Sequence, residues 1–110
     1  MSRSWKSFLA ELKTTKGFAQ ADDVKNLIEQ ALKDPLGFLM VQGEMLEMYL
    51  EQLANSEIST SEFKVSVEAI RDLIEIESVK MSPDALVRAK NLMQGIETLM
   101  VGSLLPNVTP

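Results

Sequence analysis

Ile58-Ser59-Thr60-Ser61-Glu62-Phe63 closes one helix-forming stretch and opens another. Ser59 and Glu62 have the spacing of a capping box, in which the Ser59 hydroxyl accepts from the Glu62 N–H and the Glu62 carboxylate accepts from the Ser59 N–H. Ile58 and Phe63 flank the box as a hydrophobic staple. Asn55 and Ser56, just before it, are weak helix formers suited to a turn. So short a connection keeps two helices side by side, and residues 36–54 and 60–80 are expected to form an antiparallel hairpin.

Other boundaries follow outward from this hairpin. Asp34-Pro35 reads as an N-cap followed by proline at the first helical position, where no N–H is needed, so the third helix spans 35–54. Ser82-Pro83 repeats that signature and opens a fifth helix over 83–102, with Met81 and Leu86 as its staple. Gly102 is a candidate C-cap, and 103–110 form an uncharged tail. Upstream, 22–33 carry Val24, Leu27, Ile28, Ala31 and Leu32 on one face, behind Asp22 and Asp23. Trp5, Phe8, Leu9 and Leu12 recur at helical spacing in 1–17, and Gly17 is placed to end that helix. No segment alternates as a strand does. The expected fold is all-α: one domain, a small bundle of about five helices around a central antiparallel hairpin.

Composition narrows the function. The 110 residues contain neither histidine nor cysteine. That removes the commonest general base, the commonest metal ligand and all thiolate and disulfide chemistry. Glu44, Glu47 and Glu51 share one face of the third helix, and Glu68, Asp72 and Glu75 share one of the fourth. Facing carboxylates of this kind normally build di-metal sites together with Glu-x-x-His pairs, which are lacking here. No glycine-rich phosphate loop, zinc spacing or nucleophile elbow is present. The sequence therefore predicts a non-catalytic protein with no cofactor and no metal. No run approaches the roughly 20 apolar residues of a membrane span. Lys6, Glu11 and Lys13 interrupt the place of a signal-peptide core, so a cytoplasmic location is expected.

Charge is divided along the chain. Residues 1–16 hold Arg3, Lys6, Lys13 and Lys16 against Glu11, a net +3, while the other 94 residues hold seven basic and fifteen acidic groups, a net −8. Between Lys33 and Lys64 there is no basic residue at all. A basic stripe laid on Glu44, Glu47 and Glu51 would relieve their mutual repulsion, and the first helix supplies one through Arg3, Lys6 and Lys13, in the same chain or from a second copy. The same helix, basic with Trp5 and Phe8 on its apolar side, also has the make-up of a membrane-surface foot, although a remainder of −8 disfavours an anionic leaflet. With a sequence pI near 4.7 and no basic patch, nucleic acid is not an expected partner.

The third helix is apolar around most of its circumference, and the fourth carries Val65, Ile76 and Val79 away from its main face of Phe63, Val67, Ile70, Leu73 and Ile74. Apolar surface beyond what one copy can bury predicts an interaction or assembly module. The expected partner is a second copy, in a homodimer centred on Met45, Met48 and Tyr49 of the third helix.

Overall fold

The computed structural model describes residues 3–101 and contains five helices. They are α1 (Trp5–Thr15), α2 (Ala21–Leu32), α3 (Gly37–Ala54), α4 (Thr60–Ser78) and α5 (Pro83–Val101), with no strand among the described residues. The chain is all-α. The cap expected at Gly102 and the tail 103–110 lie outside the described residues.

The hairpin junction forms as its residues dictate. Glu62 N–H donates to the Ser59 hydroxyl at 3.1 Å, and Ser59 N–H donates to the Glu62 carboxylate at 2.8 Å. Phe63 is buried and Ile58 packs against the same core, completing the staple. At the end of α3, Ser56 takes a left-handed conformation with φ 58°. Its N–H donates to the Leu53 carbonyl (3.1 Å), and the Glu57 N–H donates to the Gln52 carbonyl (2.8 Å). These are the two bonds of a Schellman closure, so the helix end has its last carbonyls satisfied without glycine. Gly17, with φ +71°, ends α1 as expected.

The start of α3 differs from expectation. The helix begins at Gly37, not Pro35, and Leu36 occupies the cap position without a side-chain bond. The Asp34 carboxylate is drawn elsewhere: it accepts from the Leu36 N–H at 2.9 Å and from two guanidinium nitrogens of Arg88 in α5, at 2.7 and 3.3 Å. Likewise α2 is capped at Gln20, leaving Asp22 and Asp23 inside its first turn.

Four helices close a ring: α2 touches α3 and α5, α3 touches α4, and α4 touches α5, while α1 lies along α2 and α3. The two short helices thus close the side of the bundle within one chain, with no need of a neighbour. Leu39, Leu46 and Leu50 of α3, Val67 and Ile74 of α4, and Ala89, Ile96 and Leu99 of α5 point into the ring and are buried. Each fully buried leucine contributes about 1.5–3 kcal/mol over an exposed one. Phe18, in the α1–α2 connection, is buried in this core too, although no helical periodicity marks it. Gly43 of α3 and Gly95 of α5 both face α2, which sits where a side chain would otherwise stand. Gly37 has open space around it and serves no such approach.

Candidate functional site

The acidic flank of α3 meets α1 in the same chain. Helices begin with backbone N–H groups that have no partner inside the helix and carry partial positive charge. Glu51 accepts from one of these, the Trp5 N–H, at 3.3 Å, and Glu47 accepts from the Trp5 indole N–H at 2.9 Å. Just before the helix, Arg3 N–H donates to the Asn55 side-chain oxygen (2.8 Å), and the Asn55 amide returns a bond to the Arg3 carbonyl (3.2 Å). The Arg3 guanidinium also donates to the Ala54 carbonyl at 3.2 Å.

So α1 does lie on α3, but its lysines are not what holds it there. Arg3, just before α1, pairs with Glu11 of that helix, Lys6 with Glu29 of α2 at 2.9 Å, and Lys13 with Asp22 of α2 at 2.6 Å. The hydrogen bonds from Lys6 and Lys13 hold the Glu29 and Asp22 carboxyls below their ordinary range. The expected pairing of basic and acidic stripes is therefore divided. Backbone and indole donors meet Glu47 and Glu51, Lys6 and Lys13 turn to α2 while Arg3 pairs with Glu11 and the Ala54 carbonyl, and Glu44 stays exposed on α3. Trp5 and Phe8 are buried, so the apolar side that would enter a membrane surface is spent inside the molecule.

The second cluster expected on α3 is also divided. Met45 and Tyr49 are half-buried against the core, whereas Met48 is 40% exposed. Its exposed apolar neighbours on α3 are Met40 and Val41. On α4, Val65 and Ile76 are exposed at 66% and 64%, and Leu73, expected on the buried face, is exposed as well. Leu73 follows Ile70 by three residues but turns toward the α3 side of the helix, where the core does not reach.

Helical position and the antiparallel run of the hairpin bring these residues to one side. Phe38 of α3 is level with Glu77 and Met81, for these residues line a common notch of about 210 Å³ with Leu36 and Ala85. At the other end, Leu53 and Glu62 share a surface depression. The outer side of the hairpin thus leaves Val41 and Met48 of α3 and Val65, Leu73 and Ile76 of α4 exposed. Residue types alone marked these positions as apolar but not which of them the core would leave outside.

The charge of the hairpin as a whole is unbalanced. Residues 37–78 hold nine acidic and two basic groups, a net −7, while the rest of the chain holds seven acidic and nine basic, a net +2, for the total of −5. The two cations of the hairpin are Lys64 and Arg71, and Lys80, just beyond it, lines the Phe38 notch and approaches Glu77 at 3.8 Å. Arg71 donates to Asp72 at 3.2 Å and approaches Glu97 of α5 at 3.9 Å, and Lys64, seven residues earlier, shares its side. Arg71 thus bonds within α4 and also reaches across to α5. Among the described residues no three carboxylates converge as a metal cage requires, and no helix is long and apolar enough to cross a membrane. Compared with known protein families, characterised proteins and solved structures, the chain has no significant match.

Proposed function

We propose that this protein is a non-catalytic helical interaction and assembly module, and that its docking face is the outer side of the α3–α4 hairpin. One observation carries the reading: Val41, Met48, Val65, Leu73 and Ile76 stay in water although the core beneath them is filled. Apolar side chains left in water on a small domain mark an interaction site where they join into one patch. The lack of histidine and cysteine supports a non-catalytic role. A cytoplasmic setting belongs to the same proposal, on the charged residues that break up the N-terminal apolar positions.

Self-association is the simplest form of such docking, and the homodimer expected from the sequence would use this face, centred on Met48 and Leu73 instead of Tyr49. The alternative of a membrane-surface foot on 1–16 has lost support, since Trp5 and Phe8 would have to leave the core first. A Met48→Glu/Leu73→Glu variant tests the module. It is expected to fold as the parent does and to lose whatever the parent binds, read by sedimentation of the pure protein and by affinity capture from its own cells. A parent that sediments as a 12.2 kDa monomer and captures the same proteins as the variant would remove the proposal.

A further inference from the structure

We infer that the Asp34–Arg88 ion pair lines a water-binding site, in which ordered water joins α2 to α5. This site stands apart from the docking face, and neither depends on the other.

The site is a small pit where α2, α3 and α5 meet. Leu27, Ala31, Leu39 and Leu92 supply its apolar walls, and Gln30, Asp34, Arg88 and Asn91 supply its polar groups. Its size limits the occupant. The pit holds about 30 Å³. One water needs about 10–15 Å³ of such space, so one or two waters fill it. Pockets that take up organic ligands are about tenfold larger or more.

Water enters a cavity of this size only where about two to four polar groups meet it, and a purely apolar void stays dry. Here the polar groups are at hand. The Asp34 side chain is 4% exposed. A carboxylate offers about four acceptor positions. Oδ1 accepts twice, from the Leu36 N–H at 2.9 Å and from Arg88 at 3.3 Å, whereas Oδ2 accepts only the Arg88 Nε–H at 2.7 Å. One position on Oδ2 is therefore left over where bulk water barely reaches. An acceptor left short in such a place is costly, and a water that donates to it removes the cost.

The rim supplies the other partners of that water. Gln30 comes from α2 and Asn91 from α5, and both are exposed at the mouth of the pit. Each side-chain amide has donors and an acceptor, so a water on Oδ2 can bond to both and reach the usual total of about three. An ion fits less well. A cation would stand beside the Arg88 guanidinium and an anion beside the Asp34 carboxylate, and each would meet its own sign. The join between α2 and α5 is thus wet at this end, and water completes the hydrogen bonding of a carboxylate whose own counter-ion is 41% exposed.

The test follows Overhauser transfer from water to methyl groups in the full chain, together with a crystal structure. Ala31, Leu39 and Leu92 are buried, so surface water does not touch their methyl groups. Cross-peaks from long-lived water to these three residues are expected, with an ordered water about 2.7–2.8 Å from Asp34 Oδ2. Gln30→Leu/Asn91→Leu spares the ion pair and removes both rim partners, and the cross-peaks should then disappear.

Parent protein without long-lived water at these methyl groups would overturn the site, whether or not the double variant folds. So would a Gln30 or Asn91 amide bonded straight to Oδ2 in the crystal. Cross-peaks that keep their full strength in a folded Gln30→Leu/Asn91→Leu variant would overturn the bridge between α2 and α5. Cross-peaks that fade as sodium or ammonium chloride is added would make an ion the occupant and overturn the inference as well.

Discussion

A Cβ added at Gly43 would lie 3.0 Å from the Ala31 Cβ and 3.2 Å from the Leu32 backbone nitrogen. At Gly95 the nearest atom, at 2.9 Å, is the Leu27 Cδ1, the far end of a flexible side chain. Alanine gains about 1 kcal/mol over glycine inside a helix, so the sign at each position depends on whether the neighbour can yield. Backbone cannot move without shifting the whole of α2, and Gly43→Ala is expected to destabilise the fold by about 1–2 kcal/mol net. Leu27 can change rotamer, and Gly95→Ala is expected to be neutral or stabilising by up to about 1 kcal/mol. Urea denaturation of the two variants checks the contrast, and equal effects would show that α2 adjusts as easily at both contacts. The value of these glycines was not readable from the sequence. Gly37 and Gly43 look alike there, and only the path of α2 makes one of them a contact.

Elements in this protein begin where short-range chemistry tells them to. At the head of α4, the Ser59 N–H bonded to the Glu62 carboxylate, and the Ser59 hydroxyl beside it, hold that carboxyl below its ordinary range. Since Glu62 titrates lower folded than unfolded, its contribution is complete above the unfolded value and disappears as pH falls through the folded one. The Asp22 and Glu29 carboxyls, lowered by Lys13 and Lys6, follow the same sign and tie α1 to α2. Stability should therefore decline through the acidic carboxylate range, and Glu62→Gln should make that decline shallower. Urea midpoints measured across a pH series read this directly, and an unchanged acid slope in Glu62→Gln would assign the loss to other groups. Ser59→Ala should cost about 1 kcal/mol at neutral pH. The box was legible in full, because both of its bonds join residues three apart. The start of α3 was not, because Asp34 answers to Arg88, 54 positions away, as well as to its own turn.

At the scale of the whole molecule that ion pair fastens the α2–α3 connection to α5. Asp34 is nearly sealed from water, with 4% of its side chain exposed, while the Arg88 side chain is 41% exposed. Removing the cation leaves a buried carboxylate without its counter-charge, a change that costs 3–5 kcal/mol where both partners are deep. Water can reach the Arg88 side, so Arg88→Met should cost about 2 kcal/mol. Asp34→Asn/Arg88→Met is expected to lose less than the two single changes summed, as interacting partners do. Chemical denaturation of the three variants measures the coupling, and strict additivity would mean that the pair adds nothing to the join.

Period, caps and composition by themselves determined the helices and the α3–α4 hairpin, and they pointed away from histidine- and thiol-based chemistry. These depend on contacts between residues a few positions apart, or on no contact at all. Tertiary structure alone decided that α2 closes a ring between α3 and α5, that α1 gives its indole and N-terminus to Glu47 and Glu51, and that Tyr49 turns inward while Met48 and Leu73 remain outside. A helix apolar on several sides does not reveal which side a neighbour will cover. That choice is made when helices distant in sequence pack together, by the competition among their faces for one interior.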